Sequence, residues 1–323
     1  MTGLRHQNPT GECCRRLRHD WPNAYGSLGK LHMKGAQWKD FSRIVAAYLI
    51  ALIAALWTFE FTDSYSPLWQ AAIADVVATA VIFVFSRIYD NSSFYDAYWS
   101  VAPPLLFCFW LVSYEIFDTR TAILALLVNL WAVRLTYNWA VGWQGLSHQD
   151  WRYVDLQAKA GRWYPALDFF GIQLMPTVWV FLGCVPLWLI CASEPLPLYW
   201  LDGVWVVVGF SALLLETRAD QILRRFRHHP ERRGEVLRED VWGWCRHPNY
   251  LGELGFWFAL GIAGFAVSGS WLSGLGSAVM VLLFVGVSIP MIDKRQLANK
   301  PAYAIYQAEV PSLVPSLRRV PRD

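Results

Sequence analysis

The stretch RHPNYLGE, residues 246–253, has the most specific pattern of reactive side chains in this sequence. Proline is favoured in the first turn of a helix, so we predict a helix that begins at Pro248. The unpaired N–H groups of a helix start attract anions, and Arg246 beside them could bind a phosphate through two hydrogen bonds. Asn249 and Glu253 would share one face of this helix. The pattern predicts a ligand site; the alternative is a helix start whose arginine reaches lipid phosphate.

A second group of charged residues lies at the end of an apolar run, where Glu216, Asp220, Arg224 and Arg227 form one helical stripe. Two acids one turn apart repel each other, so Glu216 and Asp220 require a donor or a cation from elsewhere. The arginines one or two turns later could bind phosphates, while the acids accept hydrogen bonds from hydroxyls or amides. The alternative is a solvated helix face beside a membrane.

The tail of the chain contains a third group, in which Asp293, Lys294 and Arg295 are followed by Tyr303 and Tyr306. The spacing of the two tyrosines places them on one helical face. They could stack on a planar ligand or form hydrogen bonds with it. They could equally belong to the aromatic belt at a membrane surface.

The elements that position these groups are predicted to be membrane helices. Of the 323 residues, 55% are hydrophobic, 16% are charged and 19 are tryptophan, which is more apolar than a typical soluble domain. The apolar residues come in runs of about 20, the length of a helix that crosses a bilayer. We predict an all-α polytopic bundle with about eight spans. The predicted spans are Ile44 to Phe61, Leu68 to Phe85, Tyr98 to Phe117, Ala122 to Val141, Leu167 to Ala192, Leu198 to Leu215, Tyr250 to Val267 and Leu272 to Met291.

The rest of the chain is divided according to its polarity. Residues 1–40 are polar and basic, and we predict that they are disordered, whereas residues 41–323 form a single membrane domain. Residues 142–165, between the fourth and fifth spans, are too polar to cross a bilayer and are rich in Trp and Tyr, which is typical of an interfacial helix. The cysteines show no metal-binding spacing, so no metal site is predicted.

The distribution of basic residues predicts the orientation in the membrane. Of the 28 Lys and Arg residues, 26 lie in the termini and the alternate loops of one side, whereas the loops of the other side contain only Arg120. Both termini and the loop from Arg218 to Arg246 are therefore predicted to face the cytoplasm. The membrane would be a bacterial inner membrane or, in a eukaryote, the endoplasmic reticulum. The lipid bilayer is the predicted partner of the protein. Basic loops are expected in a membrane protein, so no nucleic-acid partner is needed to explain them.

Several longer stretches resemble known membrane proteins. GWCRHPNYLGE, the preceding ETRADQILRRFR and the Tyr-rich tail that ends in VPSLVP resemble the C-terminal region of the steroid 5-alpha-reductase superfamily, which includes the sterol C14 reductases. SSFYDAYWSVAP, RLTYNWAVGWQGL and QDWRYVDL are similar to a narrower branch, the DUF1295 proteins. The resemblance covers residues 89–315, and its reductase-like part covers residues 198–315.

The resemblance implies an NADPH-dependent reductase that saturates a conjugated carbon–carbon double bond in a lipophilic substrate. Asp220, Arg227, Asn249 and Glu253 match cofactor-contacting positions of the steroid reductases, while Glu216 stands where those enzymes have asparagine. Together with the stripe and the tail, the candidate cofactor-binding residues are Glu216, Asp220, Arg224, Arg227, Arg246, His247, Asn249, Tyr250, Glu253, Arg295, Tyr303 and Tyr306.

Candidates for the catalytic step come from chemistry alone, because the early spans show no matching motif. Asp75, Asp96 and Tyr98 are these candidates. An acid beside a carbonyl can polarise it and donate a proton while a hydride is added to the β carbon. An acid within a membrane span is a functional candidate by default. The alternative is a structural role, with Arg134 and Asn138 as partners.

Two other functions stay open. Isoprenylcysteine carboxyl methyltransferases have a similar RHPxYxG helix start and a Glu- and Tyr-rich tail, but they bind S-adenosylmethionine. The arginines between Glu216 and Arg227 favour a ligand with phosphates, which S-adenosylmethionine lacks. The third possibility is a lipid-binding protein without catalytic activity. The sequence predicts an apolar small-molecule ligand, but it identifies neither the substrate nor the oligomeric state.

Overall fold

The computed structural model describes residues 35–315, which contain α-helices and no β-strand. The α-helices are α1 (Gly35–Trp57), α2 (Pro67–Ile88), α3 (Tyr98–Ser113), α4 (Thr119–Gly142), α5 (Trp151–Ala160), α6 (Tyr164–Leu167), α7 (Met175–Ala192), α8 (Trp200–Arg227), α9 (Pro248–Ser268), α10 (Leu275–Leu283), α11 (Ile289–Asn299) and α12 (Tyr303–Glu309). Two π-helical segments join α6 to α7 and α10 to α11: Asp168–Leu174 and Phe284–Ser288. Short 3₁₀ turns lie at Thr58–Phe61, Ser92–Tyr95, Gly161–Trp163, Pro230–Arg232, Asp240–Gly243 and Trp271–Gly274.

The predicted all-α polytopic bundle is confirmed. Within residues 35–315, seven helical segments are long and apolar enough to cross a membrane: Gln37–Phe61, Pro67–Ile88, Thr119–Gly142, Trp151–Ala192, Trp200–Arg227, Pro248–Ser268 and Trp271–Asn299. The remaining predicted span, Tyr98 to Phe117, corresponds to α3, which has 16 residues and contains Pro103 and Pro104. At about 1.5 Å per residue, α3 is about 24 Å long, somewhat shorter than a hydrocarbon core of about 30 Å.

The first helix begins before the predicted start of the membrane domain. α1 begins at Gly35, so residues 35–40 of the predicted N-terminal segment are helical. Asp40 accepts a hydrogen bond from the Leu146 backbone N–H at 3.0 Å and pairs with Arg43 at 2.7 Å. The first contact attaches the start of α1 to the loop after α4, and the second lies within α1. Residues 1–34, the rest of the predicted disordered segment, lie outside the described residues.

α8 and α9 pack closely because glycines line their contact. A Cβ atom at Gly252 would lie 2.8 Å from the carbonyl oxygen of Ala212, and one at Gly255 would lie 2.8 Å from the Cβ of Ala212. Small residues allow two membrane helices to approach at the level of their backbones. This packing places the first turns of α9 directly beside Glu216 on α8.

The first turn of α4 is fixed against α8 by a buried ion pair. Arg120 is 2% exposed, and its guanidinium donates to both oxygens of Asp202, at 2.8 and 3.0 Å. It also donates to the carbonyl oxygens of Leu196 and Pro197. A buried charge with this set of partners is compensated. Arg134 follows on the same helix about four turns later, where it reaches the acidic end of α8.

Candidate functional site

A cavity of about 360 Å³ lies between the end of α8, the start of α9, α11 and α12; we call it the polar cavity. Seven of the predicted cofactor-binding residues line it: Arg227, Arg246, His247, Asn249, Tyr250, Tyr303 and Tyr306. The other described residues of its wall are Leu223, Phe226, Val236, Leu237, Trp242, Ile292, Gln296 and Lys300. The fold therefore gathers residues from three separate stretches of the sequence around one space.

Asp293 organises one wall of the polar cavity. Its carboxylate accepts hydrogen bonds from Arg246 Nη2 at 2.9 Å and from the Tyr303 hydroxyl at 2.5 Å. His247 Nε2 lies 3.0 Å from the same carboxylate, and the imidazole stacks on the ring of Tyr250. Asp293 is buried, so these groups form a compact charged network between α9, α11 and α12.

Most hydrogen-bond donors of the Arg246 guanidinium bind other groups of the protein, whereas the sequence pattern predicts that they bind a phosphate. Besides Asp293, its guanidinium donates to the carbonyl oxygens of Gln307 and Val310, at 3.1 and 2.7 Å. Its backbone N–H donates to the carbonyl oxygen of Pro311. The tail folds back over the start of α9 and supplies acceptors that the sequence pattern does not show. The Nε atom of Arg246 is buried and has no hydrogen-bond partner among the described residues.

The two tail tyrosines are buried, so the alternative that they belong to an interfacial aromatic belt is wrong. Tyr303 and Tyr306 are 5% and 2% exposed. Their hydroxyls donate to Asp293 and to the carbonyl oxygen of Trp242. Burial and the Asp293 carboxylate raise the pKa of Tyr303 above its ordinary value. Both hydroxyl protons are already used, so these residues can offer a ligand mainly the surfaces of their rings.

The acids of the α8 stripe meet an arginine from α4, and we call this group the acid cluster: Glu216, Asp220 and Glu253 around Arg134. Arg134 donates to Glu216 Oε1 at 2.6 Å and to Asp220 Oδ2 at 2.5 Å. Asn138 also donates to Asp220 Oδ2. The donor that the two stripe acids require is therefore Arg134 of the same chain. Among the described residues, no group of acidic, histidine or cysteine side chains is arranged to hold a metal ion.

Glu253 lies in the acid cluster and is not among the described residues that line the polar cavity. Its two carboxylate oxygens accept hydrogen bonds from Trp131 Nε1 at 3.1 Å and Trp257 Nε1 at 2.9 Å. Arg134 Nη2 lies 3.7 Å from Glu253 Oε2. Asn249, one turn earlier, lines the polar cavity. On the predicted shared face of α9, Asn249 thus lines the polar cavity, whereas Glu253 is buried in the protein interior.

The two remaining predicted arginines bind aromatic rings outside the polar cavity. The Arg224 guanidinium carbon lies 5.5 Å from the ring centre of Tyr137 on α4. The Arg295 guanidinium carbon lies 3.7 Å from a ring centre of Trp151, the first residue of α5. Neither is among the described lining residues of the cavity. Both geometries are typical of cation–π contacts, which here connect α8 to α4 and α11 to α5.

A second cavity, of about 330 Å³, lies between α1, α2 and α3; we call it the apolar cavity. Asp75 is 5% exposed, and its Oδ1 accepts a hydrogen bond from the Tyr98 hydroxyl at 2.6 Å. Asp75 Oδ2 is buried and has no hydrogen-bond partner among the described residues. Two of the three predicted catalytic residues therefore share this wall. The lining residues are Tyr48, Ala51, Leu52, Ala55, Leu56, Phe59, Ala71, Ala74, Asp75, Ala78, Tyr98, Val101, Ala102, Leu105, Leu106, Cys108, Phe109 and Val112.

Asp96, the third predicted catalytic residue, is not among the described residues of the apolar cavity wall. Its carboxylate accepts a hydrogen bond from the Tyr153 hydroxyl of α5 at 2.7 Å. Burial raises the pKa of Asp96 to about 6. Arg134 and Asn138 bind neither Asp75 nor Asp96, so their predicted role as partners of these acids is wrong. The position of α4 against α8 directs both side chains to the acid cluster.

Residues 82–310 match the family described as "Protein of unknown function (DUF1295)". The chain belongs to the DUF1295 family. It is also similar to an uncharacterized protein of Schizosaccharomyces pombe, with 26% identity over an alignment that covers 87% of this chain and 90% of the relative. No solved structure matches the chain.

The DUF1295 match covers the two cavities unequally. Every described residue of the polar cavity wall and the whole acid cluster lie inside it. The match begins within α2, so Asp75 lies before the matched region while Tyr98 lies inside it. The DUF1295 region therefore includes the α3 side of the apolar cavity but not its α1 side.

Several residues near the apolar cavity were not predicted from the sequence. The hydroxyls of Thr79 and Tyr95 lie 2.9 and 2.8 Å from the hydroxyl of Thr177 on α7, and the side chain of Thr79 also contacts Tyr98. The spacing from Asp75 to Thr79 is one helical turn, which is a usable signal. Thr177 carries no such signal, because its contact depends on how α7 packs against α2.

Proposed function

We propose that this chain is a membrane reductase that uses NADPH to saturate a conjugated carbon–carbon double bond in a lipophilic carbonyl compound. The observation that carries the proposal is the unpaired Oδ2 of Asp75 at the wall of the apolar cavity. A buried polar atom without a partner costs about 1 to 3 kcal/mol. A ligand that forms a hydrogen bond with this oxygen would remove that cost. A carbonyl oxygen is such a ligand when the carboxyl group carries a proton on Oδ2.

The pair of Asp75 and Tyr98 assigns the roles in this chemistry. The Tyr98 proton is donated to Oδ1, so Tyr98 holds the carboxyl group in place and Oδ2 is left for the substrate. The protonated acid polarises the carbonyl oxygen and stabilises the negative charge that develops there. The net reaction adds a hydride to the β carbon and a proton to the α carbon, and it oxidises NADPH to NADP⁺.

The polar cavity fits the phosphorylated part of such a cofactor. Arg227, Arg246 and Lys300 line it, and no carboxylate is among the described residues of its wall. The buried Nε of Arg246 has no partner, and Asn249 offers an amide that can both donate and accept. These residues would hold NADPH, which supplies the hydride when bound. The volume is within the usual range of ligand pockets, about 300 to 1,000 Å³.

The sequence supports a more distant relationship with the same chemistry. GWCRHPNYLGE, ETRADQILRRFR and the tail ending in VPSLVP resemble the steroid 5-alpha-reductase superfamily. The members of that superfamily reduce conjugated double bonds with NADPH. We therefore propose that this chain is a divergent member of the superfamily and that its reductase-like region spans residues 198–315.

Purified protein in lipid nanodiscs provides the test. We expect it to bind NADPH more tightly than NADH or S-adenosylmethionine, and to oxidise NADPH when one of a panel of lipophilic α,β-unsaturated ketones is added. Tighter binding of S-adenosylmethionine would favour the methyltransferase alternative. Binding of a lipophilic ligand without any nucleotide would favour the lipid-binding alternative. Either result would contradict the reductase proposal.

We further propose that both termini and the polar cavity face the cytoplasm. The basis is the unequal distribution of basic residues, with only Arg120 in the loops of the opposite side. A Cys introduced at position 232, in the loop between α8 and α9, should react with a membrane-impermeant thiol reagent only after the membrane is opened. A Cys at position 116, between α3 and α4, should react in intact cells. The opposite pattern would reverse the orientation.

A further inference from the structure

The acid cluster brings more acidic than basic side chains together. Its three acids, Glu216, Asp220 and Glu253, surround the guanidinium of Arg134. A second base, Arg224, attracts Asp220 electrostatically from one turn further along α8. If all three acids were ionised, three negative charges would face these two positive charges, and one negative charge would stay uncompensated.

An uncompensated charge is unfavourable at this position. Glu216 and Glu253 are each 3% exposed. They lie on α8 and α9, which are long and apolar enough to cross a membrane. The transfer of a carboxylate out of water is costly unless cations and hydrogen-bond donors offset it. A proton bound by one of the acids would remove the excess charge.

The contact between Glu216 and Glu253 shows where such a proton fits. The two side chains are within hydrogen-bonding reach of each other. Each oxygen of Glu253 accepts a hydrogen bond from an indole N–H, of Trp131 or of Trp257. Glu216 Oε1 accepts from Arg134, but Glu216 Oε2 is buried and has no hydrogen-bond partner among the described residues. Because an ionised carboxylate only accepts hydrogen bonds, two ionised acids would leave Oε2 without a donor.

We propose that Glu216 and Glu253 form a proton-binding pair, in which a proton on Glu216 Oε2 is donated to the Glu253 carboxylate. Glu253 is the ionised member, because its two indole donors stabilise a negative charge. Two carboxyl groups in contact repel each other when both are ionised, so such pairs hold one proton between them. With Glu216 neutral, the charges of Asp220 and Glu253 are balanced by those of Arg134 and Arg224.

The other polar groups around the pair do not supply this proton's charge. Asn138 of α4 is neutral and donates to Asp220. Tyr250 of α9 interacts electrostatically with Glu253, and a tyrosine hydroxyl is uncharged near neutral pH. A buried water molecule would be the alternative donor to Glu216 Oε2, and both acids of the pair would then stay ionised. The proposal does not depend on the NADPH function, because it concerns the chain without a bound nucleotide.

Infrared spectroscopy of the purified protein in lipid nanodiscs, near neutral pH and without nucleotide, tests the proposal. A protonated carboxyl group has a C=O stretching band that a carboxylate lacks, and this band shifts when the proton has exchanged for deuterium. Protein made with glutamate that contains a heavy carbon isotope in its side-chain carboxyl group separates the bands of glutamic acids from those of aspartic acids.

The test compares the parent with Glu216→Gln and Glu253→Gln. Glu239→Gln is the matched control, because Glu239 is exposed and pairs with Arg232 in the loop between α8 and α9. The apparent melting temperature shows whether each variant is folded. If one variant of the pair does not fold, the other variant and the spectrum of the parent still decide between the outcomes.

We expect the parent and Glu239→Gln to show one glutamic acid band that moves with the isotope label, and both variants of the pair to lose it. Glu216→Gln removes the group that carries the proton. Glu253→Gln removes the neighbouring negative charge and supplies an amide N–H that can donate to Glu216 Oε2, so Glu216 ionises. Absence of the labelled band from the parent would overturn the proposal in favour of a buried water molecule. Loss of the band in only one of the two variants would also overturn it, because the proton would then not depend on the pair.

Discussion

The polar and apolar cavities differ in how their polar atoms are satisfied. In the polar cavity, most donors already have partners in the chain: Arg246 and Tyr303 bind Asp293, and Tyr306 binds a backbone carbonyl. In the apolar cavity, the wall contains few polar groups, yet one of them, Asp75 Oδ2, has no partner. The polar cavity wall thus leaves only Arg246 Nε of these groups without a partner, whereas the apolar cavity wall leaves an oxygen of its one acid unsatisfied.

This difference indicates how each cavity would select its ligand. The polar cavity is lined by basic side chains and by no carboxylate among its described residues, so we expect it to favour an anionic ligand and its binding to be sensitive to salt. The apolar cavity selects by shape and burial, with one hydrogen bond at Asp75 to orient the ligand. The two requirements match the two halves of a reduction, a charged cofactor and a lipophilic carbonyl compound.

The largest effect is expected for the acid of the apolar cavity. Asp75→Asn preserves an acceptor for the Tyr98 hydroxyl but removes the acidic proton, so turnover with an active enone should fall about 10²- to 10⁴-fold. The affinity for NADPH should stay the same, since Asp75 is not on the polar cavity wall. Turnover is followed by the loss of NADPH absorbance, and affinity by calorimetry.

Tyr98→Phe serves as the comparison for this variant, because it removes the donor to Asp75 but leaves the acid itself. Its turnover should fall less than that of Asp75→Asn. If Asp75→Asn turns over like the parent, the unpaired oxygen has no catalytic role and the apolar cavity is only a binding site.

A change in the polar cavity should act on stability first. Asp293→Ala removes the acceptor of Arg246, His247 and Tyr303 and leaves the Arg246 charge buried without its ion pair. Loss of one partner of a buried pair costs about 3 to 5 kcal/mol. We expect a lower apparent melting temperature and faster proteolysis of the tail after α11.

Glu309→Ala is the matched control for this change. Glu309 lies on the same tail and forms an exposed ion pair with Arg238 of the loop between α8 and α9. Such exposed pairs contribute about 0 to 1 kcal/mol to stability. Ligand binding in the apolar cavity should persist in any Asp293→Ala protein that stays folded. Similar melting temperatures for the two variants would mean that the Asp293 network does not stabilise the tail.

Only part of the polar cavity could be predicted from the sequence. The grouping of Asn249 and Tyr250 at a helix start depends on local spacing after Pro248, and the structure shows this helix start. The use of Arg246 by the tail carbonyls depends on a loop that folds back over about 60 residues of chain, a contact without a local pattern. Local rules predicted the motif, and tertiary packing decided which of its donors stay available.

The chemistry of acidic side chains identifies the candidate catalytic acids within the membrane, but it does not identify their hydrogen-bond partners. Asp75 and Tyr98 were both predicted, while their hydrogen bond joins α2 to α3 and depends on how those helices pack. In the alternative structural reading, Arg134 is a partner of these acids, but it binds Glu216 and Asp220 instead. The choice between these acids depends on which helix α4 faces, which the buried Arg120 pair fixes about four turns away.

Asn249 and Glu253 provide a smaller test of how far the polar cavity extends along α9. Asn249→Ala should weaken NADPH binding by roughly 1 to 3 kcal/mol, or about 5- to 150-fold, because Asn249 lines the cavity. Glu253→Gln should have a smaller effect on binding, since the Glu253 carboxylate is used by Trp131 and Trp257. Calorimetry with each variant measures the two losses. An equal or larger loss for Glu253→Gln would mean that the ligand reaches the acid cluster.

The smallest effect concerns Asp96, which lines neither cavity among the described residues but connects α5 to the turn before α3. Burial raises its pKa from 3.8 to about 6. Between these values the folded protein binds a proton that the unfolded chain does not, so the contribution of Asp96 to stability is present at low pH and is lost as the pH rises through about 6. Asp96→Asn cannot titrate and still offers an acceptor to the Tyr153 hydroxyl. Above about pH 6 the variant should therefore be more stable than the parent by about 1 to 2 kcal/mol, less than the full shift implies because the side chain is partly exposed.

The measurement is the difference in apparent melting temperature between Asp96→Asn and the parent, taken at several pH values, because the titration of all other groups cancels in this difference. Asp90→Asn is the control: Asp90 is exposed in the same connection between α2 and α3 and pairs with Arg87, and its left-handed backbone at φ 46° is tolerated by asparagine. We expect the difference for Asp96→Asn to grow between about pH 4 and pH 6 and then to level off, while that for Asp90→Asn stays nearly constant. Parallel curves for both variants would mean that Asp96 titrates like an exposed acid. In that case the contact between Tyr153 and Asp96 would contribute little to holding α5 against the start of α3.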